Sequence, residues 1–348
     1  MIKKTNIPNQ RGPSRRSFLT GAAMAGAGIG LSAFTGARSA FGQTASGGPG
    51  ITDGDVAILH FLAAAELIET DLWIQYAELA VGNKPYADAL NLIEGELTIY
   101  TTDVAGDEQS HADFINGFLV ANGFPPTNLD AFRTLPSSTA KGARQIGRLT
   151  NLLKTTVDTS FYLRYRRRGN PDFGDVFPQF VEIIDKPLIP MDDRPLTKKE
   201  VQLIANSAAF HFCATEQGGA SIYPSLIPKV TNLDVLRILT SIGPTEAYFF
   251  ASFHQSLEGL PAISGHGLVF PDVTINDIGA HHIPHPCKFL QPGLPLACVV
   301  RPIRTQFGGA LHLFEAGVST GLFEGQSQEF FTTLTALATA ADAASRSC

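Results

Sequence analysis

The sequence predicts an all-α protein: a four-helix bundle with one long crossover insert, followed by a C-terminal appendage that is loop-rich and then helical. Three observations carry this. Four long segments show apolar residues at helical spacing and are punctuated by Pro, Gly and capping residues. They fall into two consecutive pairs separated by about seventy less regular residues, which is the connectivity of a bundle with a single long crossover. Each of the four also carries a carboxylate inside its apolar stripe.

The first segment opens at Thr52 or Asp53, either of which can cap a helix, and runs to about Val81 before Asn83-Lys84-Pro85 breaks it. The second is expected from about Tyr86 to Asn122, closed by Gly123 and Pro125-Pro126. Residues 127–196 form the insert. They include an amphipathic stretch, Ala143 to Arg168, ending in the basic run Arg164-Tyr165-Arg166-Arg167-Arg168, which reads as a solvated end. Thr197 opens the third helix, expected to reach Tyr223, with Pro224 and Pro228 ending it. The fourth spans about Leu233 to Leu257, and Gly243-Pro244 inside it should bend or restart it. Pro261 to Pro302 is Pro/Gly/His-rich and reads as loop with short strands, and Gly309 to Ser345 has helical composition. The domain reading is therefore a leader over 1–39, a bundle over 52–260 that includes the insert, and an extension over 261–348.

The leader is read from Ser14-Arg15-Arg16-Ser17-Phe18-Leu19, an uncharged Gly/Ala-rich run from Gly21 to Gly36, and Ala37-Arg38-Ser39-Ala40. A basic start, a mild apolar stretch and small residues at the cut are the layout of a twin-arginine (Tat) export signal. The expected partner is thus the Tat export machinery, and the expected location periplasmic or secreted. No Cys precedes Cys213, which argues against a lipoprotein. Because that route passes folded proteins, the leader raises the expectation of a cofactor loaded before export. Its apolar run is too short and Gly-rich for a stable membrane span, and no later run reaches spanning length.

Charge narrows the partners further. Setting aside the six basic leader residues leaves 20 basic against 32 acidic side chains, a net charge of −12 over about 309 residues. Such a chain is a poor match for nucleic acid or an anionic membrane. No P-loop, strand-linked Gly-x-Gly-x-x-Gly or Cys-x-x-Cys is present. Among the four cysteines, Cys213 lies in an apolar helical run and reads as a buried thiol, Cys287 and Cys298 are close enough in sequence to close a loop, and Cys348 is terminal.

The informative oddity is the acids. The stripes read Leu62, Glu66, Glu69, Trp73 in the first helix and Val104, Glu108, His111, Ile115, Phe118 in the second. The third reads Phe212, Glu216, Ala220, Tyr223, and the fourth Leu239, Ile242, Glu246, Phe249, Phe253. An unpaired buried carboxylate costs on the order of several kcal/mol. One could be carried by protonation or a local partner. One per helix, each near mid-helix, points to a shared cation of the hard, oxygen- and imidazole-binding kind. Glu108-Gln109-Ser110-His111 adds an imidazole on the same helix face as its Glu. Glu69 is either an extra ligand or a solvated edge residue. Trp73 and Tyr223 read as core, and both follow a stripe Glu (Glu66, Glu216) at plus seven, a faint echo between the two helix pairs. A second cluster, His281, His282, His285 and Cys287 with His266 upstream, offers copper or zinc ligands without a recognisable closed pattern. His60, His211 and His312 read as satisfied polar groups.

With Asp55-Val56-Ala57-Ile58-Leu59, Ala65-Glu66-Leu67-Ile68-Glu69 and Asp107-Glu108-Gln109-Ser110-His111 in view, the chain resembles the ferritin-like superfamily. It is most similar to the exported ferritin-like proteins of the desiccation-related group. The resemblance covers about 52–126 and 197–258. It implies a bundle in which a Glu from each of two helices and a Glu-x-x-His from each of the others hold two iron or manganese ions. Carried over, the implied ligands are Glu66, Glu108, His111, Glu216 and Glu246. The second Glu-x-x-His is incomplete: Phe249 stands where its His would be, and His254 is two turns beyond Glu246. One ion, or one ion and a weaker second, is the resulting expectation. The implied activity is redox chemistry on O2, peroxide or the metal itself. The alternative is a non-catalytic scaffold with a degenerate site, acting in envelope or desiccation stress.

Overall fold

The computed structural model describes residues 50–158, 180–181, 188–257, 259–270 and 309–347. The leader, Arg164–Arg168, the cluster at 281–287 and Cys287, Cys298 and Cys348 lie outside the described residues.

Helix α1 (Asp53–Gly82) begins at Thr52 through a capping box: the Thr52 hydroxyl accepts from the Asp55 N–H, and the Asp55 carboxylate accepts from the Thr52 N–H. Asn83 then serves two helices, donating its backbone N–H to the Leu79 carbonyl and capping α2 (Lys84–Ile93) by accepting from the Tyr86 N–H at its side chain. The expected second helix is therefore two. It stops at Glu94 and restarts as α3 (Leu97–Ala121), with Gly95 in the gap. Gly costs a helix interior about 1 kcal/mol relative to Ala, and the exposed Glu94 and Gly95 offer no burial to offset it.

Helix α4 (Lys198–Leu226) repeats the capping box with Thr197 and Glu200. It passes through Pro224 and tightens into a 3₁₀ turn, Ile227–Lys229, instead of ending at Tyr223. Helix α5 (Leu233–Leu257) is continuous through Pro244, so the expected bend or restart is not a break. Most helical stability in proteins comes from packing of the buried face, and α5 buries Val235, Leu239, Ile242, Gly243 and Glu246 on either side of the proline.

The helices pack as two pairs. α1 lies along α3 and α4 along α5, with close backbone approach within the pairs and little between them. The space between pairs is filled by large side chains. At one end Trp73, Tyr76, Phe212 and Phe253 stack at centroid distances of 4.8–5.7 Å. At the other, Leu59, Leu62, Leu119, Ile222 and Leu239 form a second apolar cluster.

The expected amphipathic stretch is described only as far as Asp158, and that part is not helical. Residues 143–156 are irregular, and the strands β1 (Val157–Asp158) and β2 (Phe180–Val181) pair antiparallel. What fixes it is the buried Asp71 of α1. Its carboxylate accepts from the Leu149 and Thr150 N–H groups, the Thr150 hydroxyl and the Arg133 guanidinium at 2.8–3.0 Å. Beyond the bundle a hairpin, β3 (Ile263–Gly265) and β4 (Leu268–Phe270), turns at His266-Gly267, both with positive φ. The terminal helical region is two helices, α6 (Gly309–Ser319) and α7 (Gln328–Ala343). Asp342 caps α6 by accepting from the Ala310 and Leu311 N–H groups, and α7 packs on α1. Among the described residues, no helix is long and apolar enough to cross a membrane.

Candidate metal centre

The acids in the apolar stripes converge. Glu66 sits on α1 between Ala63 and Leu72, Glu108 on α3 between Ala105 and Ile115, and Glu246 on α5 between Ile242 and Phe249. Together with Glu216 of α4 they form a polar belt between the two apolar clusters. Glu108, Glu216 and Glu246 are fully buried and Glu66 nearly so.

Two groups of ligand atoms result. In one, Glu66, Glu108, His111 and Glu246 each offer an atom within 4.8 Å of every other; in the second, Glu69, Glu108, Glu216 and Glu246 do the same. Glu108 and Glu246 belong to both. All five residues implied by the resemblance are thus brought together. Glu69 joins them through a buried Oε1. His254 is in neither group; it is buried beside Phe250 on α5.

His111 Nδ1 lies among three carboxylates, 3.2 Å from Glu108 Oε2, 3.3 Å from Glu66 Oε2 and 3.3 Å from Glu246 Oε1. Only the Glu108 contact has good hydrogen-bond geometry. Burial opposes a charged imidazole, but Glu246 and Glu66 outweigh it and push the His111 pKa up to about 10. Without a metal, the imidazolium form of His111 is the favoured one, as the counter-ion among these carboxylates.

One imidazolium does not balance five carboxylates. Burial, then mutual repulsion, raises the carboxyl pKa of Glu69, Glu108 and Glu216 well above the ordinary value; for Glu69 and Glu108 the strongest repulsion comes from Glu246, for Glu216 from Glu69. Glu246 is pushed up to about 7, by burial first and then by Glu66, with His111 opposing. Hydrogen bonding does not relieve the strain. Both oxygens of Glu216 and Glu246, and one each of Glu66, Glu69 and Glu108, are buried with no hydrogen-bond partner.

The same molecule shows what a structural buried carboxylate looks like. Asp71 has five donors, Gln75 Nε2 being the fifth. Asp55 accepts from the backbone of Thr52, Thr231 and Asn232 and from the Thr52 hydroxyl. Buried polar groups are normally satisfied in this way. The belt is unsatisfied where Asp55 and Asp71 are saturated, so its donor set fits a hard cation better than it fits a folding role.

Three further residues shape the belt. Tyr223 donates its O–H to Glu66 Oε1 in a short hydrogen bond. The Trp73 indole N–H has no partner of good geometry, yet lies near enough to Glu69 and Glu216 to favour their charged forms as a minor effect. Gly219 makes room: a Cβ there would stand 2.2 Å from Glu246 Oε2. Sequence reasoning placed Tyr223 and Trp73 in the core and did not single out Gly219. Tyr223 sits two turns beyond Glu216 on the same inward face, a spacing that was visible without its partner being so.

The remaining candidates lie elsewhere. Phe249 packs in the apolar cluster, edge-on to Tyr100 at 6.2 Å. His60 pairs with Thr127 at 2.9 Å and His211 with Tyr76 at 2.6 Å. Burial lowers the His211 pKa to about 4. Cys213 is a buried free thiol.

Comparison with curated proteins and with solved structures gives no match. A family profile described as "ferritin-like domain" matches residues 54–259, more than half of the chain and the whole of the carboxylate belt. The chain therefore belongs to the ferritin-like domain family.

Proposed function

We propose that the bundle binds iron or manganese through Glu66, Glu108, His111, Glu216 and Glu246, with Glu69 as a sixth ligand, in one or two sites. The observation that carries this is the set of buried carboxylate oxygens without hydrogen-bond partners, drawn from four helices to within coordinating reach of one another. A bound transition ion would supply redox chemistry toward O2, peroxide or the metal itself. The chain's own part is to hold the oxygens in place and give up protons as the metal enters. His111 must lose its proton to become a ligand, so uptake releases protons and strengthens with pH. The twin-arginine leader supports export to the periplasm or beyond, after loading.

A second reading, a non-catalytic scaffold with a degenerate site serving in envelope or desiccation stress, is favoured by one observation: Phe249 occupies the position of the second imidazole.

Metal analysis of the protein purified from metal-replete cells, beside its Glu108→Ala variant, separates the two. Glu108 belongs to both ligand groups, so the first reading expects the variant to hold less than about a tenth of an equivalent. No metal in either protein, with Glu108→Ala equally or more stable, supports the scaffold, because an unpaired buried acid only destabilises.

A further inference from the structure

A cavity of about 570 Å³ lies beside the belt, between α1, α4 and α6. Its wall is mostly apolar: Phe61, Ile68 and Leu72 from α1, Ile222 from α4, Phe314 from α6 and Leu322 beyond it. Glu66, Glu69 and Tyr223 belong to the lining as well as to the belt, and His211, Thr215, His312 and Thr320 place polar groups elsewhere in the wall. Glu315 and Ser319 line it and are exposed, so the cavity reaches the surface along the outer face of α6. The enclosure is built by the C-terminal extension. Asp342 caps α6, and the segment after α6 is tied to the insert through Thr156 N–H to Thr320 O at 2.6 Å and Asn151 N–H to Leu322 O at 2.7 Å.

A route serving only metal ions has no use for such a lining, since hydrated cations are stabilised by oxygen ligands and not by Phe, Leu and Ile. The volume falls in the range of roughly 300–1,000 Å³ typical of small-molecule pockets, which are lined chiefly by apolar side chains with a few placed polar groups. Carboxylates at the inner end disfavour an anion, and the apolar wall disfavours a fully charged molecule of either sign.

We propose that this cavity is a binding site for a small, uncharged, largely apolar organic molecule that lies against Glu66 and Glu69. Its meaning for function rests on the metal-centre reading, since it names the class of molecule the centre faces. The binding itself does not depend on metal.

The test titrates the full chain, metal-free and metal-loaded, with the neutral fluorophore N-phenyl-1-naphthylamine and with its 8-sulfonate, the same ring skeleton bearing a negative charge. Saturable binding of the neutral probe at one site is expected in both forms, with the sulfonate at least about tenfold weaker. Ala316→Trp on α6 and Ala214→Phe on α4 project bulk into the cavity from opposite walls. Each should weaken the neutral probe by about tenfold or more while metal content is unchanged. A measurement that needs no variant is hydrogen exchange of the wild-type chain, in which the neutral probe should slow exchange over 61–72 and 309–319. No saturable binding, equal binding by folded plug variants, or protection elsewhere would overturn the proposal. Probe binding with these signatures in a protein that takes up no metal would leave the pocket standing and remove the metal centre.

Discussion

The two helix pairs present the same motif with different endings. On α3, Glu108 is followed at plus three by His111, whose Nδ1 enters the belt. On α5, Glu246 is followed at plus three by Phe249, which turns to the apolar cluster beside Tyr100. Both glutamates are fully buried and both belong to the two ligand groups. The pairs also differ at plus seven from their first acid. Trp73, after Glu66, packs among aromatic rings, whereas Tyr223, after Glu216, donates to Glu66 across the bundle. The carboxylate frame is thus shared by the two halves, and the groups that neutralise and orient it are not. This asymmetry predicts one site completed by imidazole and a second made of oxygen alone, around Glu69 and Glu216.

The comparison breaks most strongly at His111. His111→Ala removes the single imidazole, and the tighter ion should weaken by about a hundredfold, read by competition with a chelator. Phe249→His restores the missing half of the motif, and should tighten the weaker ion by about tenfold without changing the first. Equal behaviour of the two ions in the wild-type chain would deny the asymmetry. Tyr223→Phe leaves Glu66 Oε1 without its donor and should weaken the imidazole site by about tenfold, the lower end of effects seen for groups that orient a ligand. Trp73→Phe, which loses a poorly aligned N–H, should change affinity less.

The smallest effect is on stability against pH in the metal-free protein. Glu246 has a folded pKa near 7 against an ordinary value of 4.5. A raised carboxyl pKa contributes stability that is full below the unfolded value and is lost as pH rises through the folded one. His111, raised from 6.5 to about 10, acts in the same direction over a higher window. The Tm of the metal-free chain should therefore fall steadily between pH 5 and pH 8, and saturating metal should flatten the slope. A metal-free Tm that rises over this interval would show that the belt is not buried as described.

Much of this was legible in the sequence because it is local. Thr52 with Asp55 and Thr197 with Glu200 are capping boxes within four residues, and α1 and α4 begin where they predict. The acids were legible because a charge at a core position of a 3.6-residue period has no local explanation. What was not legible depended on the rest of the molecule. The continuity of α5 through Pro244 goes with a face buried along its length, and the path of the insert after Ala143 is fixed by donors to Asp71, which lies more than seventy residues earlier. Tyr223 could be assigned to the interior but not to Glu66, 157 positions away. The cavity needs α6 laid beside α1 and α4, a contact with no trace in any one segment.

The most direct measurement is an anomalous-difference map from crystals of the full chain grown from metal-replete cells. The account predicts a transition-metal peak coordinated by Glu66, Glu108, His111 and Glu246, and a weaker one among Glu69, Glu108, Glu216 and Glu246. A belt without anomalous density after soaking in iron or manganese, its carboxylates held instead by ordered waters or protein donors, would contradict it.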